Sequence, residues 1–149
     1  MTNIRKSHAG DGDRILEIWR SAVLATHAFL LRADYAEIEK EVRDFLPSTP
    51  LLLAVDREDK PLGFMLLDGS HMEALFVDPD YHGQGIGRRL VKHALSLSAS
   101  LTTDVNEQNE QASAFYFHLG FTATHRSATD GQGRPYPLLH LEIQQQPKI

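Results

Sequence analysis

Three glycines crowd into five positions of VDPDYHGQGIGRRL, the stretch from residue 77 to 90. Gly83, Gly85 and Gly87 stand between a strand-like run and an apolar-periodic segment, so the loop they form opens a helix. Glycine lets a backbone turn tightly and approach a ligand closely. The first N–H groups of a helix lack intrahelical acceptors, and the dipole behind them favours an anion. A phosphate or pyrophosphate is the guest such a loop suits, and a plain glycine-rich turn is the alternative reading.

Two phosphate loops are excluded by their own spacing. A Walker loop ends in Gly-Lys-Ser/Thr, whereas Arg88 and Arg89 follow Gly87 here. A dinucleotide fingerprint needs glycine three residues after Gly85, and that position is Arg88.

The stretch resembles the cofactor motif of the GNAT N-acetyltransferases, Gln/Arg-x-x-Gly-x-Gly/Ala after a strand ending in Val-x-Pro. The matching residues are His82, Gly85 and Gly87, after Val77-Asp78-Pro79. A second motif of that family, Asn-x-x-Ala-x-x-x-Tyr followed by Leu-Gly-Phe, matches Asn109, Ala112, Tyr116 and Leu119-Gly120-Phe121. Longer stretches, DGSHMEALFVDPD through TTDVNEQNEQA to RPYPLLHLE, are similar to a bacterial branch of the family. The resemblance implies acetyl-CoA as co-substrate and acetyl transfer to an amine. It implies that the CoA lies against Leu75, Phe76 and Val77 and along His82, Gly83, Gln84, Gly85, Ile86, Gly87 and Arg88, with Asn109 as a further contact. His82 departs from the family's Gln or Arg and would bring a charge that depends on pH.

Direct transfer from a thioester requires a neutral amine, a polarised carbonyl, a stabilised oxyanion and a proton for the departing thiolate. Asn109, Ala112 and Tyr116, at i, i+3 and i+7, share one helix face. By resemblance Tyr116 is the general acid, and a backbone N–H between Ala74 and Val77 is the oxyanion donor. The base stays open among Glu73, Asp104, His27, His71 and an ordered water. The acceptor would lie around Thr26 to Tyr35 and Thr129 to Tyr136, stretches holding His27, Phe29, Arg32, Tyr35, Asp130, Arg134 and Tyr136. This mixed set leaves a protein lysine, a protein N-terminus, a polyamine or a small amine open. Two rival readings are a protein that binds acetyl-CoA without turnover, as a sensor or sequestering agent, and a nucleotide-binding module.

The elements that must position these residues follow from changes of period. A strand near Ile4–Ser7 precedes a turn in which Asp11 or Asp13 caps a helix, with Ile15, Ile18, Trp19, Ala22 and Val23 as its apolar face. A second helix is expected from Asp34, with Glu37 at capping-box spacing and Ile38, Val42, Phe45 and Leu46 inward. LLLAV at 51–55 and PLGFMLL at 61–67 read as a hairpin, and HMEALFV at 71–77 as a third strand. Alternation puts Glu73 opposite Ala74 and Phe76. The helix after the glycines carries Ile86, Leu90, Ala94 and Leu97 on one side. Then come a strand at 101–105, a helix at 109–119 ended by Gly120, and strands near 121–127 and 137–143. The fold expected is a GNAT-type α/β domain over residues 1–149, with about seven mostly antiparallel strands, about four helices and a frayed tail from about 144.

Bulk properties agree. The 149 residues suit one core. A net charge of −5 argues against nucleic acid, and no apolar run is long enough for a membrane. The lack of cysteine excludes a thiol nucleophile and disulfides. Without a leader-like N-terminus, the expected place is the cytoplasm, as a monomer or homodimer. No His-Glu-x-x-His or short His pair occurs, so no metal is expected.

Overall fold

The switch from period 3.6 to period 2 and back is borne out along the chain. The computed structural model describes residues 2–26 and 32–145. They form β1 (Asn3–Lys6), α1 (Gly12–Thr26), α2 (Arg32–Phe45), β2 (Leu52–Val55), β3 (Pro61–Asp68) and β4 (His71–Val77). α3 (Ile86–Leu97), β5 (Ser100–Asn106), α4 (Glu110–Leu119), β6 (Thr122–Ser127) and β7 (Leu138–Gln144) follow. The strands are hydrogen-bonded in the order β1-β2-β3-β4-β5-β7-β6. The described registers are antiparallel except β4 with β5, which pair in parallel at His71↔Thr102 and Met72↔Thr103.

Residue contacts group into two compact units, Met1–Leu66 with Ala74–Leu90, and Leu67–Glu73 with Val91–Ile149. In the first unit, Ile15, Ile18, Trp19 and Val23 of α1 bury their side chains with Leu46, Leu51, Leu53, Val55 and Phe64. Ile38 and Val42 of α2 and Ala74 and Phe76 of β4 pack on this cluster. Trp19 stacks on Tyr35 at 5.7 Å between ring centroids, and Phe64 meets Phe76 at 5.5 Å. Burying one such side chain stabilises by about 1.5–3 kcal/mol.

Three expectations are corrected. Phe45, expected inward together with Leu46, is 57% exposed: α2 ends at Phe45, and the 3₁₀ turn over Leu46–Ser48 buries Leu46 but not Phe45. Leu97, the last residue of α3, is 63% exposed, and Val91 joins Ile86, Leu90 and Ala94 among the buried residues. α2 starts at Arg32, two residues before the expected Asp34. Asp11 lies in a 3₁₀ turn, Ala9–Asp11, where it accepts the His8 N–H at 2.8 Å and two Arg5 hydrogen bonds at 2.9 Å.

In the second unit the pleat of β5 and β7 sorts residues by face. Leu101, Thr103, Val105, Leu141 and Ile143 are buried, with Tyr116 and Phe121 in edge-on ring contact at 5.2 Å. The alternate positions Thr102, Asp104, His140 and Glu142 are polar and partly exposed, as expected for an antiparallel sheet with one wet face.

Asp78 follows β4 and is buried. The Arg14 guanidinium of α1 donates to its carboxylate at 2.6 Å and to Pro61 C=O at 2.8 Å. The Asp78 N–H donates to Leu62 C=O at 2.8 Å, and its Oδ1 accepts the Asp80 N–H at 3.0 Å. Burial pushes this carboxyl up, but the Arg14 guanidinium, the Asp80 N–H and the Lys60 charge more than offset it, so it lies below its usual value. A depressed carboxyl stabilises the fold fully above its unfolded pKa, near 3.8, and loses that contribution as pH falls through the folded value. Asp78→Asn should therefore cost about 3 kcal/mol at pH 7, as for breaking a buried ion pair. The gap to wild type in urea unfolding should narrow at pH 3. A gap that stays constant with pH would contradict the ion-pair account.

Candidate active site

Local chemistry shapes the glycine loop. Pro79 opens a 3₁₀ turn, Pro79–Tyr81, capped by the Asp78 side chain, and His82 returns the chain to extended geometry. Gly83 and Gly85 then take φ of +80° and +76°, a left-handed conformation that strains any residue with a Cβ. The Arg89 N–H donates to Gly85 C=O at 3.0 Å. Gly85 is thus the cap position, and the N–H groups of residues 85–88 precede the first intrahelical donor. Ile86 and Leu90 are buried and anchor this first turn, while His82, Gly83, Gln84, Gly85, Arg88 and Arg89 are exposed. Free N–H groups at an exposed helix start are chemically suited to an anion.

Gly63 of β3 was not singled out in the sequence, yet the same unit depends on it. A Cβ there would lie 3.0 Å from Phe76 C=O, 3.1 Å from the Ile86 side chain and 3.3 Å from the Val77 side chain. Its only sequence signal is a glycine inside an apolar strand, which marks a close backbone approach. Leu75, Phe76 and Val77 complete β4 here, and Phe76 turns toward the apolar cluster.

In the second unit Tyr116 is 7% exposed. Burial pushes its hydroxyl up to about 12, against a smaller opposing effect of the hydrogen bond with Thr103. Thr103 itself donates to Met72 C=O at 3.0 Å. Tyr116 is therefore protonated throughout the physiological range and holds a proton it can give. Phe115 and Phe121 flank its ring, each at 5.2 Å.

Asn109 is buried and caps α4, its Oδ1 accepting the Ala112 N–H at 3.1 Å. It therefore has a structural task beside the contact role suggested for it. Gly120 ends α4 in the left-handed conformation, as its position predicts.

Among the expected bases, Glu73 is exposed on β4. Asp104 is not a lone carboxylate. Its Oδ1 lies 2.5 Å from His140 Nδ1 and its Oδ2 3.5 Å from His71 Nε2. The other nitrogen of His71 is 2.7 Å from Thr102 Oγ1. His140 was missed in the sequence because its partner is 36 positions away, and only the register Asp104↔His140 joins them. His27 and Phe29 lie outside the described residues. Of the other residues considered for the acceptor, Tyr35 packs on Trp19 and Tyr136 is buried. Asp130 holds the β6–β7 turn, accepting the Gln132 and Arg134 N–H groups at 2.9 and 2.8 Å. Among the described residues no three His, Asp or Glu side chains are arranged to hold a metal ion.

Residues 25–135 match the acetyltransferase (GNAT) domain family. The chain is 57% identical over 141 residues to the peptidyl-lysine N-acetyltransferase YjaB of Salmonella typhimurium, covering 95% of this chain and 97% of that one. Its identity to YjaB of Escherichia coli K12 is 54% over 139 residues, covering 93% and 95%. The solution structure of apo-form YjaB from Escherichia coli superposes with a TM-score of 0.92, at 53% identity, over 95% of this chain and 97% of the other. A helix start built on two left-handed glycines, a buried tyrosine at a parallel strand pair and these similarities lead to one conclusion: the chain belongs to the GNAT acetyltransferase family.

Proposed function

We propose that this protein transfers the acetyl group of acetyl-CoA to the side-chain amine of lysine in a peptide or protein. The observation that carries this reading is the 57% identity, across 95% of the chain, to a peptidyl-lysine N-acetyltransferase. The residues support it. The N–H groups of the turn from His82 to Arg88 receive the CoA pyrophosphate, with Gly83 and Gly85 providing the turn. Backbone N–H groups from Leu75 to Val77 hold the thioester carbonyl and its oxyanion.

The neutral amine attacks the carbonyl carbon, and the tetrahedral intermediate collapses by expelling the CoA thiolate. Tyr116 gives that sulfur its proton and recovers one from solvent. The amine's surplus proton leaves by way of Glu73 or the Asp104 carboxylate. These acidic groups, on the polar face of β4 and β5, also suit a cationic lysine arriving from water.

Tyr116→Phe keeps the ring and removes the proton. It should lower kcat for a lysine peptide by about 10²–10⁴-fold. Calorimetric affinity for acetyl-CoA should move by no more than about 0.5–1.5 kcal/mol, one neutral hydrogen bond. Turnover at the wild-type rate would remove Tyr116 from the mechanism. Tight acetyl-CoA binding by the wild type without acetylation of any lysine peptide would favour the sensor reading.

Gly85→Glu brings bulk, backbone strain and negative charge to the turn. Acetyl-CoA at about 100 times its Kd should stabilise the wild type by roughly 2.7 kcal/mol in a thermal shift. The variant should show none, and an undiminished shift would place the pyrophosphate elsewhere.

A further inference from the structure

Beyond the lysine reaction, we propose a second reactive site in the second unit: Ser127, His140 and Asp104 form a serine–histidine–aspartate relay whose serine accepts acyl groups from activated esters and thioesters. Ser127 Oγ lies 2.6 Å from His140 Nε2, and His140 Nδ1 lies 2.5 Å from Asp104 Oδ1. Three neighbouring strands supply one residue each. Asp104 of β5 stands directly opposite His140 of β7. Ser127 of β6 pairs with Leu138, two positions before His140, and so shares its face.

Hydrogen-bond chemistry fixes the direction of the relay. An ionised carboxylate only accepts, so His140 Nδ1 carries the proton donated to Asp104. In the neutral ring Nε2 is then an acceptor, and the Ser127 hydroxyl donates to it. That is the protonation a nucleophilic serine requires, with the acid orienting the base.

The neighbours hold this arrangement in place. His125 stacks on the His140 ring at 4.0 Å and 16° between planes. Thr124 Oγ1 lies 3.1 Å from His125 Nδ1 and donates to His140 C=O at 3.1 Å. The second Asp104 oxygen lies 3.5 Å from His71 Nε2. β6 ends the strand order, and Ser127 is half-buried.

The step balances within these groups. Ser127 Oγ bonds to the carbonyl carbon as its proton passes to His140 Nε2, and Asp104 stays ionised beside the imidazolium. The carbon–oxygen or carbon–sulfur bond to the leaving group then breaks. The departing phenolate or thiolate takes the proton from His140 and leaves O-acetylserine.

The test uses the full chain with p-nitrophenyl acetate, without CoA or amine, so failure here leaves the lysine reading untouched. Nitrophenolate release, intact mass and peptide mapping should show acetylation at Ser127. Ser127→Ala should abolish it, and Asp104→Asn should slow it by about 10²-fold or more through the wrong imidazole tautomer. His140→Ala should slow it equally, with added imidazole restoring the rate. Should His140→Ala unfold, the Asp104→Asn comparison stands alone. There the downfield Nδ1–H resonance of His140 should vanish while the melting temperature holds. Acetylation confined to lysines, or wild-type release from Ser127→Ala, would overturn the proposal.

Discussion

The pair Arg14–Asp78 holds the point from which the glycine turn departs. Asp78 is the residue after β4, and α3 begins eight residues later, so its anchor decides where that helix start can lie. Arg14 reaches it from α1 and also bonds the first residue of β3, tying a helix, a strand and the loop with one guanidinium. A planar fork of donors is suited to this in a way that a lysine is not. Without Arg14 the buried carboxylate would lose the cation hydrogen-bonded to it, and the turn would lose its anchor. N–H groups left free at a helix start are placed only as well as the backbone that carries them.

Placement matters in the same way for Tyr116. A tyrosine in water gives up its proton near pH 10. Buried beside Phe115, Phe121 and Thr103, Tyr116 keeps it to about 12. That makes it a weaker acid than a tyrosine in water.

Much of this was legible in the sequence, because each element announces its own period. The order of eleven helices and strands, the glycine turn and the Tyr116 helix all rest on local patterns. Local reasoning failed at the end of α2, where Phe45 is expected inward with Leu46 but is exposed, because a 3₁₀ turn that no periodicity marks begins at Leu46. It also failed where a contact depends on register. Asp104 is one of several candidate bases in the sequence, and His140 is one of eight histidines. Only the pairing of β5, β7 and β6 turns them and Ser127 into neighbours. The need for glycine at position 63 is likewise visible only once Phe76, Val77 and Ile86 surround it.

Acetyl transfer to lysine, the proposed reaction, can be followed by isotope tracing. Acetyl-CoA labelled in the acetyl group would be incubated with the protein and a lysine peptide whose N-terminus is blocked. Labelled acetyl is expected on the lysine Nε, with one thiol released for each acetyl moved. Label retained in acetyl-CoA, despite demonstrable binding, would contradict it.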